Sequence, residues 1–151
     1  MGMRRKGREL TLQVLYALDF PDKTLSIDAY EALNHYLEQL DGLCSETDIK
    51  PSSSVYEFAL ELIKNTLINL EEIDNLIKDQ SENWEFNRIA LVDKNILRMA
   101  TYEIVFKRVH PAIIINEAIE ISKKFSTENS GKFINGILDS IYKKVKQDFN
   151  E

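Results

Sequence analysis

The sequence predicts an all-α protein, a compact bundle of six or seven helices in one domain. Three observations carry this reading. Apolar residues recur at three- and four-residue spacing along most of the chain. Only 5 Gly and 3 Pro punctuate 151 residues, too few for the turns of a many-stranded sheet. No apolar–polar alternation runs longer than a few residues. The length allows one domain with a sizeable core, and 44% hydrophobic with 29% charged residues fits a folded chain rather than a disordered one.

The first helix is expected over about Arg4 to Asp19, with Leu10, Val14, Ala17 and Leu18 as its core stripe. Arg5, Glu9, Leu12 and Tyr16 make a second face, and Pro21 stops the helix. A second helix is expected from about Ser26 to Leu43, with Ile27, Tyr30, Leu33, Leu37 and Leu40 on one face. The polar, aperiodic stretch SETDIKPSSS reads as the joint between two halves of one domain, about 1–50 and 51–151. Ser53 or Ser54 caps a third helix with Val55, Phe58, Leu62 and Ile63 inward. The pattern runs on through Leu70, Ile73, Leu76 and Ile77, either as one long helix or as two helices broken near Asn69–Leu70.

SENWEFNRIA reads as a turn, and Leu91 to Lys107 as the next helix, with Ile96, Met99, Ala100 and Val105 in the core. Pro111 can open a further helix, because its missing N–H is not needed in a first turn. Ile114, Ala118, Ile121 and Phe125 give that helix its buried stripe, and Glu120 with Lys124 an outer pair. STENSG makes the last turn, and Asn129 or Ser130 caps a closing helix lined by Ile134, Ile137, Leu138, Ile141 and Val145.

Composition excludes several function classes. Cys44 is alone, so no intrachain disulfide forms, and a lone thiol beside a linker reads as a bystander. His35 and His110 stand far apart without carboxylates at ligand spacing, so no metal is expected. No GxxxxGK[ST] or GxGxxG loop is present, and no cofactor is expected. The acids sit where helix surfaces should be, which solvation explains better than general acid–base chemistry. No catalytic residue is assigned. The absence of a signal peptide and of an 18-residue apolar run points to the cytoplasm and away from a membrane.

Charge is where the sequence departs from the ordinary. The chain carries a net charge of −6, yet its first eight residues hold Arg4, Arg5, Lys6 and Arg8 and no acid. The other 143 residues carry 15 basic and 25 acidic side chains, so anion binding must be local. Cations at a helix N-terminus oppose the helix dipole at about 0.3–1 kcal/mol each. Free N–H groups flanked by guanidinium and ammonium groups suit phosphate. The plainer alternative is a frayed, solvated tail. A second cluster lies in ENSGKFINGILD, where Asn129 and Phe133 are i,i+4 neighbours with Lys132 beside them. An aromatic ring beside an amide and an ammonium makes a platform for a single-stranded base, and the plainer alternative is a core Phe.

These segments also carry a resemblance. RRKGRELTLQVLYALDF, LVDKNILRMATYEI and PAIIINEAIEISKKFSTENSGKFINGILD resemble the NusB family of bacterial transcription antitermination factors. The likeness covers the first 20 residues and then Trp84 to about Ile141, whereas residues 21–83 match only in helical rhythm. The resemblance implies a noncatalytic protein of two packed helical bundles. It implies binding of boxA RNA together with the ribosomal protein NusE, joining other Nus factors on RNA polymerase to support ribosomal RNA synthesis. By position, Arg4, Arg5, Lys6, Arg8, Asn129, Lys132 and Phe133 match the family's RNA-facing segments, and Tyr16 and Asp93 match its NusE-facing positions.

Asn129 stands where Asp is frequent in the family, removing a negative charge beside the RNA path. Arg98 and Glu103 also match and read as structural, with the guanidinium expected near Glu103 or Glu117. Asn116 and Glu117 read as groups hydrogen-bonding between helices. The expected free state is a monomer or weak homodimer. Four neutralised phosphates on a single strand predict a salt slope of about −3. Two other readings stand beside this one: a helical domain of the kind that fronts ribosomal RNA cytosine methyltransferases, and a helical protein-interaction module. The basic start and Phe133 are expected to grip one strand between them.

Overall fold

A computed structural model describes residues 2–19, 29–81 and 85–149. The expected stop at Pro21, the helix start at Ser26, Ile27, Trp84 and the side chains of Tyr30 and Leu33 lie outside the described residues. Among the described residues every regular element is helical: α1 (Met3–Asp19), α2 (Ala29–Glu46), α3 (Ser54–Ile68), α4 (Leu70–Gln80), α5 (Leu91–Thr101), α6 (Pro111–Phe125) and α7 (Ser130–Phe149). A single 3-10 turn, Phe86–Arg88, precedes α5, and a π-helical turn, Tyr102–Phe106, extends it.

The chain forms two compact units, Met1–Leu70 and Glu71–Glu151. In the first, α1, α2 and α3 pack on one another. The expected boundary near residue 50 therefore falls inside this unit, because α3 completes its core. Leu10, Leu12, Val14 and Leu15 of α1, Leu40 and Cys44 of α2, and Ala59, Leu62 and Ile63 of α3 are buried. Two expected stripes are rotated. In α1, Leu15 and Thr11 are buried while Ala17 is exposed and Leu18 half-buried. In α2, Leu37 is 44% exposed and Tyr36, Leu40 and Cys44 form the inward line. Cys44 is thus a core residue of a helix, not a linker thiol, and burial raises its pKa. Ser53 caps α3, its hydroxyl accepting from the Tyr56 N–H at 3.2 Å.

In the second unit α5, α6 and α7 pack mutually. Ile96, Leu97 and Met99, Ile114, Ala118 and Ile121, and Ile134, Leu138 and Ile141 fill its interior. The Arg98 fork closes on Asp74, with Nε to Oδ1 at 2.8 Å and Nη2 to Oδ2 at 3.0 Å, tying α4 to α5. Sequence reasoning assigned this guanidinium to Glu103 or Glu117; nothing local links residues 24 apart. Pro111 opens α6 as expected, and His110 caps it, Nδ1 accepting from the Ala112 N–H at 3.2 Å. Glu120 pairs with Lys123 at 2.9 Å, while the Lys124 ammonium lies over the Phe125 ring.

Candidate nucleic-acid interface

The basic start is helical from Met3, and the Lys6 N–H reaches the Gly2 carbonyl at 3.4 Å. Arg4, Arg5 and Lys6 therefore sit within the first turn of α1, which contains no acidic residue. The frayed-tail alternative does not describe them. Arg4 and Lys6 are exposed and Arg5 half-buried.

Arg8 behaves differently. It is 5% exposed, and its guanidinium lies 5.3 Å from the centre of the Phe58 ring. Such a contact with a desolvated guanidinium holds α1 to α3. Of the four expected RNA-contacting cations, Arg8 is the one engaged inside the first unit. The adjacent Gly7 explains the geometry. A Cβ at Gly7 would stand 2.6 Å from Cδ1 of Phe58, so only glycine admits the ring. The glycine that interrupts the basic run was the available signal, since a helix-interior glycine marks a close approach.

In the second unit three expected site residues meet. Asp93, Asn129 and Phe133 line one cleft of about 270 Å³, together with Arg88, Ile89, Ala90, Thr127 and Ser130. Asn129 immediately precedes α7, and Phe133 lies one turn into it, half-buried. Lys132 is exposed beside them and does not line the cleft. Tyr16 is half-buried on α1, in the first unit.

Asp93 does not present an open carboxylate. It is 7% exposed, and its oxygens accept from Ser126 Oγ at 2.7 Å and Ser130 Oγ at 2.9 Å. With both hydroxyl protons given to the carboxylate, Thr127 Oγ1 can supply a proton to Ser130 Oγ at 3.0 Å. The carboxylate also stands in the first turn of α5, where negative charge is favoured. Asp93 thus clamps the α6–α7 turn that carries Asn129 and leads to Phe133. Sequence reasoning missed the three hydroxyls because they lie 33 to 37 residues from the acid.

The Phe86–Arg88 turn is held as firmly. The Phe86 ring has three cations over it: Lys94 at 4.3 Å, Lys78 at 5.0 Å and Arg98 at 5.6 Å. They seat the turn that delivers Arg88, Ile89 and Ala90 to the cleft. Among the described residues no group of three His, Cys, Asp or Glu side chains is placed to hold a metal ion. No helix among them is long and apolar enough to cross a membrane.

Comparison with known proteins bears on this arrangement. The chain matches the NusB family over residues 5–143, including the stretch that sequence rhythm alone aligned poorly. It is 41% identical over 152 residues to the transcription antitermination protein NusB of Elusimicrobium minutum, covering 99% of this chain and 100% of that protein. It resembles the solved structure of NusB from T. maritima, with a TM-score of 0.75 and 34% identity over 100% of this chain and 99% of that one. A structure of the antitermination factors NusB and NusE in complex with dsRNA matches with a TM-score of 0.79 and 28% identity, covering 95% of this chain and 98% of that one.

Proposed function

The chain belongs to the NusB family, and we propose that it is a noncatalytic antitermination factor binding boxA-type single-stranded RNA together with ribosomal protein NusE. In that role it joins other Nus factors on RNA polymerase, in the cytoplasm, and supports ribosomal RNA synthesis. The observation that carries the RNA reading is the first turn of α1: three cations, no acid, and helical N–H groups at its start. The relatives named for antitermination, and a similar structure holding NusE and RNA, support the partners. In this reading Arg4, Arg5 and Lys6 supply phosphate contacts, while Asn129, Lys132 and Phe133 contact bases. Tyr16 faces NusE, and Asp93 acts on RNA through the turn that it holds.

The test is a gel shift of boxA RNA against the full-length protein, with and without NusE, over a salt series. With Arg8 committed to Phe58, three N-terminal cations remain, contributing a slope of about −2 at roughly 0.7 per phosphate. Replacing Arg4, Arg5 and Lys6 by Ala removes that part of the slope, whereas Arg8→Ala lowers stability and leaves the slope in place. A flat salt response of the native protein rejects the mechanism.

A further inference from the structure

We propose that the groove lined by α4, the π-helical turn and the end of α7 is a docking site for a protein partner. Its occupant is an amphipathic segment whose apolar side chains lie between a basic and an acidic residue. The inference goes beyond the RNA reading and does not depend on it.

Two clefts adjoin here and share Val105, Arg108 and Val145. The larger, about 610 Å³, adds Leu76 and Phe106 to its apolar lining, with the exposed Glu72 and Asp79 of α4 beside them. The smaller, about 240 Å³, adds Tyr142, Pro111 and Lys146 and is lined by no acid.

The apolar floor has a cause in the winding of the chain. Helical spacing sends Val105 and Val145 into the core, yet both are half-buried. In the π-helical turn the Lys107 N–H reaches back to the Tyr102 carbonyl at 3.1 Å, and the Val109 N–H to the Glu103 carbonyl at 2.9 Å. This wider winding shifts the helical register, and Val105 and Phe106 come out onto the surface. The Phe106 ring is held there by stacking on Tyr102, with centroids 6.1 Å apart. Arg108, just past the turn, has a φ of 59°, a left-handed conformation that is costly for a side chain of its size. A π-helical turn and a strained residue are not what stability alone selects, and both recur at functional sites.

Charge selects the occupant. Glu72 and Asp79 line only the larger cleft, Lys146 only the smaller, and Arg108 stands at their junction. A nucleic-acid strand laid along both clefts meets the two acids, and a uniformly acidic peptide meets the same repulsion. A uniformly basic peptide is repelled at the other end. A segment with both signs about an apolar centre satisfies the whole groove. The charges at the rim are exchangeable. Asp79 is 58% exposed, and its pair with Lys144 is long, 3.7 Å. The exposed Lys146 ammonium lies 5.9 Å from the centre of the Tyr142 ring, at the limit of a cation–π contact.

The experiment uses three fluorescein-labelled peptides built on one Leu–Phe core: one with Lys on one side and Glu on the other, one with Glu on both, one with Lys on both. Anisotropy titrations of the full-length protein at low salt are paired with amide chemical shifts of the isotope-labelled protein. The mixed peptide should bind roughly tenfold more tightly than the other two and move the amides of Leu76, Val105 and Val145. Glu72→Lys combined with Asp79→Lys, at two exposed positions, should keep the native circular dichroism and transfer the preference to the all-Glu peptide. Val105→Asp should abolish binding of the mixed peptide. Absent binding, equal binding of the three peptides, or shifts confined to other surfaces overturns the proposal. Displacement of the mixed peptide by boxA RNA or by NusE overturns it as well, because the groove then belongs to one of those ligands.

Discussion

Arg98 and Asp74 meet as fork and carboxylate, at 2.8 and 3.0 Å, with both side chains shielded from solvent. Nη1 of the same guanidinium donates to Asn95 Oδ1 at 3.1 Å. Removing the acid strands a buried cation. Asp74→Ala should cost about 3–5 kcal/mol in urea unfolding, and Asp74→Asn less. A loss below about 1 kcal/mol would place the pair with ordinary surface bridges and refute its part in joining α4 to α5.

Asp93 clamps the α6–α7 turn, so its loss should be felt first as stability. Asp93→Ala leaves the Ser126 and Ser130 hydroxyls without their acceptor and should cost about 1–3 kcal/mol. Affinity for RNA should fall with it, because Asn129 and Phe133 ride on the loosened turn. A direct role at a protein partner makes the opposite forecast: unchanged thermal unfolding and RNA binding, with weaker NusE binding alone. Calorimetry with parallel RNA and NusE titrations separates the two.

Gly7 and Phe58 form a matched pair. Alanine gains up to about 1 kcal/mol over glycine in a helix interior. At position 7 the added methyl meets the ring, and overpacking of this kind costs about 1–3 kcal/mol. Gly7→Ala should therefore destabilise the protein. In a Phe58→Leu background the same change should be neutral or stabilising. Equal effects in both backgrounds would show that the ring is not what excludes the side chain.

Tyr56 provides a pH signature at the alkaline end. Its hydroxyl donates to Asp41 Oδ1 at 2.7 Å, and that bond, with burial, raises its pKa from 10 to about 12. The protonated phenol is the form favoured by folding. Its contribution is full below pH 10 and is lost as pH rises through about 12. Unfolding free energies measured across that window should fall more steeply for the native protein than for Tyr56→Phe. Parallel curves would remove Asp41 from the account.

Periodicity was enough to determine the helices. The Ser53 cap and the Pro111 start follow from local chemistry, because capping and proline geometry act within a few residues, whereas the α3–α4 break at Asn69 was one of two readings the pattern allowed. The local concentration of charge was equally plain, and so was Phe133 as a ring beside an amide. What the sequence left open is which of these groups remains available. Arg8 reads like Arg4, Arg5 and Lys6, yet it lies against Phe58, 50 residues away. Asp93 reads as a surface acid, yet hydroxyls from a distant turn occupy it. Arg88 attracted no attention until a turn seated by three cations brought it to the cleft. Helix propensity and capping are written in neighbours along the chain, whereas the fate of a charge depends on residues that only folding brings near.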